Sequence, residues 1–243
     1  MQSSKKESTS EFVKTLAIAL ICAGILRSFL FEPFHIPSSS MKPGLLIGDY
    51  IFVSKYSYGY SRYSFPLGLD LFEGRIWKST PKRGDVAVFR LPINPKINYI
   101  KRIVGLPGDK LQMRNGVLFI NDEEVLKKPE GFFIDSDSEI RHEIEQYVET
   151  FPNGKTYQTL DQDPRAPQDN TGIYSVPQGH YFMMGDNRDN SQDSRFLDHV
   201  GYVPEENLIG KTSIIFFSNS KPTWKFWHWH KSIRFNRIFS KVN

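Results

Sequence analysis

The chain of 243 residues contains a single cysteine, Cys22. One thiol excludes an internal disulfide and a cysteine-ligated zinc site. Strong charge imbalance is also missing, since the net charge is only +4. That balance does not require a polyanion, and no helix-turn-helix, zinc-finger or aromatic RNA-binding motif occurs, so no nucleic-acid partner is expected. Internal repeats are absent, and helical runs are few. What the chain does have is a succession of short segments rich in Val, Ile, Phe and Tyr between Gly, Pro and Asn, the pattern of a mainly β protein. With 39% hydrophobic residues, it can bury one substantial core, with room for a smaller appended lobe.

The longest hydrophobic stretch is residues 12–31, FVKTLAIALICAGILRSFLF. As a helix it would extend about 30 Å, the thickness of a bilayer's hydrocarbon core. Lys14 and Arg27 interrupt it, and both are tolerable because long basic side chains near helix ends reach the headgroups. A cleaved signal peptide, an uncleaved anchor and a buried core helix are the competing readings. Arg27, then Phe29-Leu30-Phe31 and Glu32-Pro33, make a poor cleavage site and favour the anchor. Lys5, Lys6 and Lys14 against Arg27 favour a cytoplasmic N-terminus.

Directly after this stretch comes Phe34-His35-Ile36-Pro37-Ser38-Ser39-Ser40-Met41, and Tyr99-Ile100-Lys101-Arg102 places its lysine 61 positions beyond Ser40 (101 − 40). A serine needs a base to become a nucleophile, and a lysine kept neutral by its surroundings can serve. The pair reads as a membrane-anchored Ser/Lys peptidase. The alternative is a polar serine loop and a solvated strand lysine. A free lysine with pKa about 10.4 needs a downward shift of roughly three units to work near neutrality. Burial among apolar groups supplies such a shift, and Ile100, Ile103 and Val104 flank Lys101. Strand alternation would send Arg102 to the opposite face, and it also separates Ile100 from Lys101.

Strands are expected at 49–55, 85–90 and 99–104, the last stopped by Gly105-Leu106-Pro107-Gly108-Asp109. Asn115-Gly116 between two apolar runs is the favoured two-residue hairpin turn. Residues 122–170 turn acidic and rich in Pro, Asp and Gly, an insertion read as weakly structured or a small lobe. Strands resume at 181–184 and 211–217.

Four blocks, FHIPSSSMKPGLLIGDY, RGDVAVFR, YIKRIVGLPGDK and MGDNRDNSQDSR, together resemble the bacterial type I signal (leader) peptidases over residues 12 to about 218. The resemblance implies a serine endopeptidase of the bacterial cytoplasmic (inner) membrane, single-pass, that removes signal peptides from exported preproteins. Its implied partners are signal-peptide-bearing preproteins and membrane lipid. No cofactor and no metal are expected. The implied fold is mainly β, an antiparallel β catalytic domain with an inserted smaller β region, preceded by a single N-terminal transmembrane helix. The expected organisation is a cytoplasmic stub (1–11), a transmembrane anchor (12–31) and an exported-side catalytic domain (32–243) with an insertion at about 110–178. By matched position, Ser40 resembles the nucleophile, Lys101 the general base and Ser38 the oxyanion donor, working with the Ser40 N–H. Ser191 resembles the hydroxyl that orients the lysine, while Arg102, Asp193 and Arg195 resemble a supporting charged cluster. Phe34, Ile36 and Ile100 resemble pocket-lining residues, with core packing the alternative for Ile36 and Ile100.

The chain departs from some members of the family. Ser39 stands where glycine is often seen, no cysteine pair is available for the disulfide of some relatives, and one anchor replaces two. Other constellations are weaker. His35 and His180 lie in no recognisable Ser-His-Asp context. The stretch from Asp186 fails as an EF-hand, having Arg188, Ser191 and Leu197 at positions that need a ligand, Gly and Glu. His228-Trp229-His230 offers too few ligands for a metal site. The aromatic and basic tail, residues 223–243, suits a membrane interface. A self-cleaving repressor of the SOS type would need an N-terminal DNA-binding domain, for which residues 1–33 leave no room. A non-catalytic tethered binding protein is the other rival.

Overall fold

The apolar run near the N-terminus becomes helix α1, Thr9–Phe29, in a computed structural model that describes residues 9–65, 74–135, 142–163, 165–221 and 232–242. Phe12, Leu16, Leu20, Ile21 and Ile25 are all exposed on α1, and Ser28 is its one buried residue. A helix that is apolar all round and packed against almost nothing needs a covering of another kind. It is long and apolar enough to cross a membrane.

The helix stops earlier than the hydrophobicity suggests. Leu30 N–H closes its last turn on Leu26, and Phe31 opens strand β1 (Phe31–His35) instead of continuing the helix. Backbone pairing is the reason: β1 lies antiparallel to β2 (Asp49–Ser54), with Phe31 opposite Ser54 and its ring against Phe52 and Tyr56.

Short β3 (Tyr60–Ser61) and β4 (Arg75–Ile76) pair beside this hairpin. The RGDVAVFR block folds into β5 (Val86–Leu91), almost continuously buried, so both its faces are covered. It pairs with β6 (Asn94–Gly105), longer at its start than the apolar run alone indicates. The Asn115-Gly116 turn joins β7 (Lys110–Arg114) to β8 (Val117–Ile120), and both turn residues have positive φ, as that hairpin requires.

The acidic insertion is more regular than its composition suggests. After β9 (Glu123–Glu124), β10 (Leu126–Asp135), β11 (His142–Thr150) and β12 (Thr156–Asp161) form a three-stranded antiparallel sheet. β13 (Tyr174–Ser175) closes a second small sheet of order β13-β7-β8-β9. The chain then returns to the main body through β14 (His180–Met184), β15 (Val203–Pro204) and β16 (Leu208–Ser218).

The main sheet has seven strands in the order β1-β2-β16-β5-β6-β14-β15. All its pairings are antiparallel, and the insertion leaves it between β6 and β14. One apolar cluster, including Ile36, Met41, Leu45, Ile51, Val88 and Ile215, lies beneath the serine-rich turn. A second, including Val104, Leu111, Phe151 and Phe182, joins the insertion to the main sheet. Within the tail, residues 223–231 and 243 lie outside the described residues, and the His228-Trp229-His230 triplet with them. Arg237 pairs with buried Asp49 at 2.6 Å and Arg234 donates to Ile47 O, anchoring the last turn to the core.

Candidate active site

Apolar anchors hold the serine turn between β1 and β2 in place. Ile36, Met41 and Leu45 are buried in the core, and Gly48 N–H bonds Ile36 O to close the loop. Between these anchors Ser38 is left exposed and Ser40 is 6% exposed. Opposite the turn, β6 presents Lys101, itself 4% exposed. Lys101 Nζ lies 2.6 Å from Ser40 Oγ and 3.0 Å from Ile100 O, and Ser38 Oγ lies 3.4 Å from Ser40 Oγ. Burial is the main cause that lowers the Lys101 pKa from its ordinary value near 10.5 to about 8. The Asp193 and Asp186 carboxylates push it back up, and Arg195 lowers it.

The loop after β14 clamps the serine turn from behind. Asn187 N–H donates to Ser40 O, Asn187 Nδ2 to Ser39 O, and Asn190 Nδ2 to Ser39 Oγ at 2.9 Å. Gly185 sits at the closest approach. A Cβ there would lie 2.6 Å from Ser40 O and 2.2 Å from Ser191 Oγ, so only glycine fits without displacing the turn.

The supporting charges form two separate buried ion pairs rather than one cluster. Arg195 Nε bonds Asp193 at 2.9 Å, and Arg102 grips Asp186 through both ends of its guanidinium at 2.8 and 2.7 Å. Burial alone would push the Asp193 carboxyl up. The Arg195 charge and hydrogen bonds, with the Gly185 N–H, hold it below its usual range. Arg102 does leave β6 on the face away from Lys101, where it also donates to Gly84 O and stacks over Tyr157.

Two of the expected side-chain roles shift in detail. Ser191 Oγ is buried close against Gly185 without a hydrogen bond to Lys101, whose amine donates to Ile100 O. A cavity of about 360 Å³ beside the serine turn is lined by Ser38, Ser40, Tyr99, Ile100, Lys101 and Asn190 among others, but by neither Phe34 nor Ile36. Ile36 is 2% exposed in the core, and half-buried Phe34 packs on that same cluster. Ile100 does line the cavity. The alternation that separates it from Lys101 is reconciled by the lysine amine folding back onto the Ile100 carbonyl.

Comparison with known proteins places the chain in a family. Residues 9–217 match the family described as Signal peptidase, peptidase S26. The chain belongs to the signal peptidase S26 family. Relatives named Signal peptidase I include those of Rickettsia typhi, 40% identical over 98% of this chain and 94% of the relative, and Rickettsia massiliae, 41% identical over 98% and 93%. The Signal peptidase I of Rickettsia bellii is 40% identical over 99% of this chain and 88% of its own. A crystal structure of a signal peptidase I from Enterococcus faecalis aligns with 55% of this chain and 97% of its own, at 24% identity and a TM-score of 0.32.

Reading the S26 motifs position by position overlooks Asp186, Asn187, Asn190 and the buried Glu149–Arg188 pair. The MGDNRDNSQDSR block contains four of these five residues, and its density of Asn and Asp is the one available signal. Glu149 carries none, being one acid among many in an acidic insertion.

Proposed function

We propose that this chain is a membrane-anchored serine endopeptidase that removes N-terminal signal peptides from exported preproteins, with Ser40 as nucleophile and Lys101 as general base. The observation that carries the reading is a buried, pKa-lowered amine 2.6 Å from a serine hydroxyl. Ser40 Oγ attacks the scissile carbonyl as its proton passes to Lys101 Nζ. The ammonium then gives that proton to the leaving amine, and water repeats the cycle on the acyl-enzyme. Ser38 Oγ and the Ser40 N–H stabilise the oxyanion. α1 anchors the domain in the cytoplasmic membrane with its N-terminus in the cytoplasm, bringing the cavity near the membrane, where a signal peptide's cleavage site emerges.

The substrate's route follows from the sheet. β14 pairs with β6 only from Arg102 to Gly105, so residues 97–101 have no strand on that side among the described residues. An extended peptide laid on this free edge would place its carbonyl beside Ser40, with backbone pairing supplying affinity and the cavity supplying side-chain choice.

Because the neutral amine is the active form, activity should rise with pH and level off above about 8. The test is the pH dependence of kcat/KM for the full-length chain in detergent with a peptide carrying an Ala-x-Ala site. Cleavage after that site with a rising limb near 8 supports the proposal. A flat profile across the neutral and mildly alkaline range, or no cleavage at all, overturns it. Ser38→Ala should lower kcat by about a hundredfold with little change in KM, as expected on losing one oxyanion donor. A normal kcat in that variant would remove Ser38 from the oxyanion site.

A further inference from the structure

Asp161, Asp169 and Asp189 reach one point from three segments: the end of β12, the short turn Pro167–Asp169, and the loop that clamps the serine turn. One oxygen of each lies within 4.8 Å of the other two. Lys127 pairs with Asp161 Oδ2 and also donates to Gly116 O. Asp189 Oδ2 accepts the backbone N–H groups of Gln162 and Asp163 at 2.6 and 2.8 Å. That leaves Asp161 Oδ1, Asp169 Oδ2 and Asp189 Oδ1 buried with no hydrogen-bond partner among the described residues.

Asp169 is the decisive member. It is 1% exposed and lies among two further carboxylates, yet its buried Oδ2 accepts nothing among the described residues. Buried carboxylates are stable only when paired, hydrogen-bonded or coordinated, and Lys127 with Arg195, the latter already paired with Asp193, cannot balance these acids. The chain also keeps space open here. Gly116, in the β7–β8 turn at φ +72°, would carry a Cβ 3.3 Å from Asp161 Oδ2 and 3.7 Å from Asp169 Cγ. A cavity of about 350 Å³, lined by Gly116, Lys127, Tyr147, Asp161 and Asp169, offers a path to the carboxylates.

We infer that Asp161, Asp169 and Asp189 form a binding site for a hard divalent cation, calcium in preference to magnesium. An all-oxygen donor set suits calcium, magnesium or manganese rather than the softer transition metals. Calcium takes six to eight oxygens in flexible geometry, whereas magnesium keeps several waters and binds through one or two carboxylates, so three carboxylates from separate segments suit calcium better. The rival occupant is a proton, since burial and then the Asp161 and Asp189 charges push the Asp169 carboxyl up. This site is distinct from the failed EF-hand pattern at Asp186, because two of its three acids come from the insertion. A bound cation would tie that insertion to the loop whose Asn187 and Asn190 hold the serine turn.

The test is calorimetric titration of CaCl2 into the chelator-stripped full-length chain in detergent, with thermal unfolding measured alongside. One site with a Kd of roughly 10⁻⁵ to 10⁻³ M is expected, with magnesium at least about tenfold weaker. At about 1 mM calcium and a Kd near 10⁻⁴ M, Tm should rise by roughly 4 °C. Asp169→Asn should weaken calcium binding at least about tenfold and remove the Tm shift, and Asp161→Asn serves if that variant fails to fold. No heat and no Tm shift up to about 10 mM calcium would mean a shared proton rather than a metal, and would overturn the assignment. Undiminished binding in the folded variant would overturn it too.

Discussion

Lys101→Arg is expected to reduce peptide cleavage at least about ten-thousandfold, the scale on which removing one member of a nucleophile–base unit acts. A guanidinium stays protonated at any working pH and cannot accept the Ser40 proton. Ser40→Ala should fall to the same floor, and the double variant should be no worse, because the two groups act as one unit. Arginine is also bulkier, so its failure alone would leave the base and the fold confounded. Lys101→Met separates them. It keeps the length of the side chain, removes the base, and removes an amine whose burial already disfavours its charge. That variant should be as inactive as Lys101→Arg while melting no lower than the parent. Cleavage by Lys101→Met within about tenfold of the parent would exclude Lys101 as the base. The 2.6 Å contact would then be a structural hydrogen bond.

The approach of Lys101 to Ser40 was legible because each sits in a local motif with apolar residues around it. Apolar residues on both sides of Ser38-Ser39-Ser40 pull the turn against the core, and β6 carries Lys101 into the gap that follows. The Asn115-Gly116 hairpin was legible for the same local reason, since two consecutive residues with positive φ leave few alternatives. Partners brought together only by the fold were not legible. Arg102 and Asp186 are 84 positions apart, and Arg188 and Glu149 are 39 apart, so no spacing rule pairs them.

The sheet of the insertion was hidden from composition, although the family resemblance implied a smaller β region there. β10 is mostly exposed and carries Lys127, Lys128 and Glu130 among its apolar residues, while β11 interleaves Glu143, Glu145 and Glu149 with Ile144, Tyr147 and Val148. Such strands are specified by pairing with each other more than by burial, which composition does not report. Phe31 went the other way: hydrophobicity placed it in the helix, and pairing with Ser54 placed it in β1. The pocket shows a third cause. Ile36 and Phe34 were assigned to the pocket by their match to the family's positions, whereas Ile36 lies in the core cluster and Phe34 packs against that cluster.

Glu149→Ala is expected to lower stability strongly. Glu149 is 0% exposed at the end of β11, where it accepts hydrogen bonds from Tyr157 at 2.5 Å and from Arg188 at 2.7 Å. Arg188 is itself 2% exposed, and its Nε and Nη1 have no hydrogen-bond partners among the described residues, so the carboxylate is its main compensation, with Tyr157 Oη at 3.0 Å and the Asp186 charge as lesser ones. Removing one partner of a buried pair costs about 3–5 kcal/mol, because the other is left as an uncompensated charge. For a chain of this size that corresponds to a fall in Tm of roughly 10 °C. The damage should reach the active site, since Arg188 O accepts Arg195 at 2.5 Å and the adjacent Asn187 N–H holds Ser40 O. Replacing both partners distinguishes this account from simple loss of packing. Glu149→Ala/Arg188→Met removes the stranded charge along with its partner and should recover at least about half of the lost stability, the non-additivity expected of directly coupled residues. Equal melting of the single and double variants would show that Glu149 acts through its packing against Tyr157 and Thr159, and that the ion pair contributes little.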